Sequence, residues 1–198
     1  MRTRSKNDTD PAASFDIPVW WRHRPSSGPI HDVGDPRFAR EAHVMMAALR
    51  YRLVDRAAAM LWADAWIQQL AEPPPELFDV SDPRSPLLQA LIDAIAALIE
   101  VPPPRDHFAV TAAVLHASLA RGKVTVEHAA RTLVVERGIE GVDLPDDMIG
   151  AIDHIDYGFD LAASGTHGTI AAVRDELLAF TQPFAEAWAA ELARVTAA

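Results

Sequence analysis

Residues Phe38–Glu72 read FAREAHVMMAALRYRLVDRAAAMLWADAWIQQLAE, a run rich in Ala, Met, Leu and Trp that contains neither Gly nor Pro. Such residues favour helix, and nothing inside the run interrupts it. Asp55 follows Val54 and precedes Ala-rich sequence, so it reads as an N-cap that divides the run into two helices. On the second helix Ala59, Trp62, Trp66 and Leu70 recur at spacings of three and four, the stripe of a helix that buries one face. The fold class this predicts is all-α, with the helical pair at the centre of a single bundle domain.

On the N-terminal side, residues 1–36 carry Pro11, Pro18, Pro25, Pro29 and Pro36 together with Gly28 and Gly34. That density of helix breakers predicts an extended arm, leaving 37–198 as the helical domain. Within the arm, FDIPVWWRHRP sets Trp20 and Trp21 beside Arg22, His23 and Arg24. One reading packs the two indoles onto the domain's own helices, because adjacent Trp residues are costly to leave wet. The other makes Trp20, Trp21, Arg22 and Arg24 a docking segment for a partner, since Trp and Arg dominate interface hot spots.

On the C-terminal side, Pro73-Pro74-Pro75 ends the second helix, and Glu76 to Asp82 is a short connection with room for one helical turn. Ser85-Pro86 opens LLQALIDAIAALIE, apolar on most of its circumference and therefore expected to be deeply buried. Pro102-Pro103-Pro104 stops it. Asp106 is expected to cap a helix reaching Gly122, and Thr125 another reaching Gly138. Pro145-Asp146-Asp147 starts a helix to Ser164-Gly165, with carboxylates at the positive end of its dipole. A helix from Thr169 to Gln182 should end or kink at Pro183, and a last one carries Phe184, Trp188, Leu192 and Val195. The count is about eight helices and no sheet.

A shift of 70 positions lays Phe38, Ala39, Ala42, Val44, Ala47, Leu49 and Val54 on Phe108, Ala109, Ala112, Val114, Ala117, Leu119 and Val124, and cap Asp55 on cap Thr125. An internal duplication of a helical unit, with repeats at 38–101 and 108–165 and C-terminal helices over 169–198, would produce this echo.

Composition narrows the functional classes. The 198 residues include no cysteine, which excludes disulfides, thiolate catalysis and Cys-ligated zinc. The polar start lacks the apolar core of a signal peptide, and no apolar run approaches a bilayer span, so a soluble, cytoplasmic protein is expected. Ala-rich, Arg-over-Lys usage is what a GC-rich bacterial genome yields. The net charge of −10 is uneven: residues 1–56 hold ten Lys/Arg against seven Asp/Glu, the remainder eight against twenty-one. An acidic body disfavours nucleic acid and anionic membranes and suits a basic partner.

The strongest chemical constellation is AIDHIDYGFD, residues 151–160. On a helix Asp153, Asp156 and Asp160 fall three and four apart on one side with His154 beside them, a spacing of hard ligands that suits Mg²⁺, Mn²⁺ or, with His, a transition metal. The competing reading is a solvated acidic face opposite a Met148, Ile152, Ile155 and Phe159 stripe. The eight His residues form no HExxH pair, and His43 and His116 lie among apolar neighbours as core-edge histidines. No nucleophile elbow, dinucleotide fingerprint or P-loop occurs, and SGTHGT at 164–169 reads as a connector. Thr125–Gly141 has the outline of half a helix-turn-helix, but the segment that would meet phosphates, Leu144-Pro145-Asp146-Asp147, is acidic. Met45, Met46, Trp62 and Trp66 at helical spacing read as core.

These observations favour a non-enzymatic interaction module, an adaptor, accessory subunit or immunity-type inhibitor, that presents an acidic face to another protein. Self-association into a homo-oligomer is compatible with them, and no cofactor is implied. The alternative is a metal-binding helical enzyme using Asp153, His154, Asp156 and Asp160, and a second alternative is a helix-turn-helix regulator.

Overall fold

The structure, a computed structural model, describes residues 35–84, 87–99 and 104–197. Within them the chain forms nine α-helices and no strand: α1 Pro36–Arg50, α2 Arg56–Gln69, α3 Pro75–Ser81, α4 Leu88–Ala97, α5 Pro104–Ala120, α6 Val126–Arg137, α7 Asp146–Ala163, α8 Ile170–Ala187 and α9 Ala189–Ala197. The all-α class is as the sequence predicts. The arm and its Trp20, Trp21, Arg22 and Arg24 lie outside the described residues, as does the Ser85-Pro86 start expected for α4.

Local chemistry accounts for most boundaries. Asp35 accepts from the Arg37 N–H, Asp55 from Ala58, Thr125 from His128 and Thr169 from Ala172, each satisfying an amide that has no partner inside its helix. Asp146 and Asp147 occupy the first turn of α7, where the helix dipole favours carboxylates.

Three expectations are corrected. Asp106 is not a cap: α5 begins two residues earlier at Pro104, whose missing N–H costs nothing in a first turn. Pro183 does not end α8, which continues to Ala187. The carbonyl deprived of a donor belongs to Ala179 on the exposed side, where it is open to solvent, while Phe180 and Phe184 stay buried on either side of the proline. The break falls at Trp188 instead, where α9 separates, and the ninth helix among the described residues is α3, the Glu76–Asp82 connection having become a helix of seven residues. Finally, α4 is not buried all round. Leu91, Ile92 and Ile95 are covered, whereas Leu87 and Leu88 are 65% and 47% exposed, because α4 packs chiefly on α1 and α3 at the margin of the bundle.

The partner of α1 at the centre is α5 rather than α2. Helix α5 packs on α1, α6 and α8, and its Ala109, Ala112 and Ala113 let neighbouring helices approach closely. Phe38 and Phe108 are fully buried, Phe38 edge-on to Trp66 at 4.9 Å and Phe108 edge-on to Phe184 at 5.7 Å. Helix α2 buries the expected Ala59, Trp62 and Trp66 face on the flank, and Leu70 caps its end.

The α1–α2 and α5–α6 turns, 70 positions apart, are built alike. Leu53 N–H reaches back to the Ala48 carbonyl and Lys123 N–H to that of Ser118, both at 2.8 Å, closing helix C-termini of the Schellman type. This closure requires a left-handed residue between, which is Gly122 at φ 66° in one turn and Arg52 at φ 57° in the other. The correspondence extends through the caps Asp55 and Thr125 to the helices they open, α2 and α6; farther on, α3 and α4 stand where the second half has the single helix α7.

Candidate functional site

Helices α6 and α7 run side by side, and their facing surfaces place the sequence-nominated aspartates opposite arginines. Arg131 reaches Asp156 at 2.6 Å and Asp160 at 2.5 Å, and Arg137 reaches Asp153 at 2.5 Å while donating to the Ile149 carbonyl at 3.1 Å. Hydrogen bonding from Arg137 holds the Asp153 carboxyl below its ordinary value. His154 faces the other way, its Nε2 lying 3.9 Å from Glu176 of α8. The three aspartates thus share a side of α7, as the helical period requires, but His154 does not join them. Among the described residues no group of three or more His, Asp or Glu side chains converges in a way that could hold a metal ion. The chemistry of this seam is charge neutralisation between two helices: three carboxylates against two guanidiniums. Nothing in the local pattern of α7 signals Arg131 or Arg137, because the pairing is tertiary.

Next to the seam, four carboxylates have no such partners among the described residues. Glu140, Asp143, Asp146 and Asp147, in the α6–α7 connection and the first turn of α7, are exposed, and none has a Lys, Arg or His partner among the described residues. Between Arg137 and Arg174 the chain contains no basic residue other than His154 and His167. Beside this acidic group on α6 and just after it, Val135 and Ile139 are 68% and 39% exposed.

A second charged assembly has its two carboxylates buried. Arg40 Nε donates to Glu191 at 2.8 Å, with its guanidinium 3.9 Å from the Trp188 ring, and Glu41 pairs with Arg194 while accepting from Trp66 Nε1 at 3.1 Å. Desolvation pushes the Glu41 carboxyl above its ordinary value, and Arg194 opposes that shift. This network ties α1 to α9 and α2. A third links α1, α5 and α6 through Glu136, which accepts from the Tyr51 hydroxyl at 3.3 Å and has His107 Nε2 3.1 Å from its other oxygen without hydrogen-bond alignment. Burial, then the Glu136 charge, pushes the Tyr51 phenol up to about 12. Both networks tie helices together, and Glu41, Trp66 and Arg194 also line a cavity of about 620 Å³ between α1, α2 and α9. His116, at 3.1 Å from Thr181 Oγ1, is held below its ordinary value by burial.

No described helix is long and apolar enough to cross a membrane. No family model, no curated protein and no solved structure matches the chain.

Proposed function

We propose that this chain is a non-enzymatic interaction module that engages a basic partner protein through the acidic face at the α6–α7 connection. The observation that carries the reading is the unpaired group Glu140, Asp143, Asp146 and Asp147 beside exposed Val135 and Ile139. Four like charges with no counter-charge repel one another, and a basic surface would relieve that repulsion while covering the two apolar side chains. A net charge of −10 favours the same class.

The test is native mass spectrometry of the chain purified gently from its own host, alongside a variant carrying Glu140→Gln, Asp143→Asn, Asp146→Asn and Asp147→Asn. The expected result is a complex with a basic polypeptide that weakens with salt and is lost in the variant. A partner retained by the variant, or a wild-type chain that carries bound metal and no second polypeptide, would overturn the reading.

A further inference from the structure

Thirteen Lys and Arg side chains lie among the described residues, and eight of them have a carboxylate oxygen within 4.0 Å. The five that do not are Arg50, Arg52, Arg56, Arg121 and Lys123, and all five line one region, where the α1–α2 and α5–α6 turns come together. Of these only Arg56 has a protein acceptor, the Asp82 carbonyl at 2.9 Å. These cations gather in one region of an acidic chain without carboxylate partners, and a bound anion would lower their mutual repulsion.

The region is concave. A cavity of about 590 Å³ is lined by Arg52, Arg56, Arg121 and Lys123, with Leu61 and Leu88 at 54% and 47% exposure on its apolar side. A second of about 350 Å³ is lined by Arg50, Arg52, Lys123 and His128. Arg52 and Lys123 line both and so stand between them. The N-terminal turn of α2 contributes Ala57 and Ala58 to the larger cavity, and that of α6 contributes Thr125 and His128 to the smaller, adding the positive ends of two helix dipoles. Asp55 is the only carboxylate in either lining, and it already accepts from the Ala58 N–H. Arg52 is moreover the one described non-glycine residue held at positive φ.

We propose that this cleft binds a small polyphosphate, an organic or inorganic molecule with linked phosphate groups. Guanidinium forks and an ammonium suit phosphate oxygens, and a chain of phosphates is what spans two adjoining cationic cavities. Leu61 and Leu88 provide a surface for an apolar or planar body attached at one end. A long nucleic acid fits less well, because the cations are confined to two turns and the surrounding body is acidic. This site is separate from the acidic face and does not depend on it.

The experiment is isothermal titration calorimetry of the full chain with inorganic triphosphate at low ionic strength. The wild type is expected to bind at one site per chain with an affinity that falls as salt is added. Arg52→Gly with Lys123→Ala removes the two cations common to both cavities and is expected to weaken binding roughly tenfold or more. Arg121→Ala, at an exposed position, provides a second weakening variant should the first fail to fold. Arg84→Ala, whose cation is paired with Asp82, is expected to bind as the wild type does. The proposal is overturned by absence of saturable heat in the wild type, by undiminished binding in the folded cleft variants, or by an equal loss in Arg84→Ala. Tighter binding of a single-stranded RNA oligonucleotide than of triphosphate at the same salt would also overturn it.

Discussion

Replacing Arg52 with glycine is expected to stabilise the protein, although it deletes a large side chain. Arg52 sits at φ 57° in a turn whose counterpart uses Gly122 at φ 66°. The left-handed conformation costs a residue with a Cβ about 1–2 kcal/mol, and the freedom glycine gains in the unfolded chain returns about 0.5–1 kcal/mol of that. The Arg52 side chain is exposed and makes no hydrogen bond or ion pair among the described residues, so its removal forfeits no contact of that kind. The net gain is about 0.5–1 kcal/mol, a rise in melting temperature of roughly 1–4 °C for a chain of this size. Thermal and urea denaturation followed by circular dichroism measure it. Arg52→Ala separates strain from charge: it removes the same cation but keeps a Cβ, and is expected to gain less than the glycine variant. Gly122→Ala probes the turn from the other side. A Cβ there meets nothing within 4 Å, so its cost of about 1 kcal/mol is conformational alone. A glycine variant less stable than the wild type, or an alanine variant equal to it, would refute the argument.

Phe108→Ala empties a fully buried site beside Phe184 and is expected to cost about 3–5 kcal/mol, read as a shifted urea midpoint with the slope unchanged. Burial lowers the folded-state value of His116 below its ordinary 6.5, so the fold binds fewer protons there than the unfolded chain. Stability from this group is therefore present above pH 6.5 and declines as pH falls through the folded-state value; melting temperatures measured against pH in His116→Gln should lack that part of the decline.

How far the sequence could be read follows from where each determinant lies along the chain. The caps Asp55 and Thr125 act on amides within three residues, and the Ala59, Trp62, Trp66 and Leu70 stripe repeats within one helix, so both are visible in one dimension. Pro183 misled because its penalty is local, whereas what carries α8 across it, the packing of Phe180 and Phe184, comes from elsewhere in the bundle. The run after Pro86 looked fully buried because apolar composition does not reveal that α4 lies at a margin. The same limit applies to function. The period of α7 put Asp153, Asp156 and Asp160 together, but it was silent on Arg131 and Arg137, which arrive on another helix. The cationic cleft arises from two turns 70 positions apart; the signal available beforehand was a basic segment immediately ahead of both the Asp55 and the Thr125 cap.

The contact between α1 and α9 bears on how the chain is made. Arg40 and Glu191 are 151 positions apart, yet they pair to join α1 to α9. A ribosome adding about 5–20 residues per second needs roughly 10–30 s to travel from one to the other. During that interval α1 exists without the α9 helix that packs on it. The earlier helices can collapse as they emerge, but closure of the bundle waits for α9 to leave the exit tunnel. A nascent chain stalled before Trp188 would therefore present an unfinished α1 surface to chaperones, and release from such a hold should coincide with synthesis of the α9 segment.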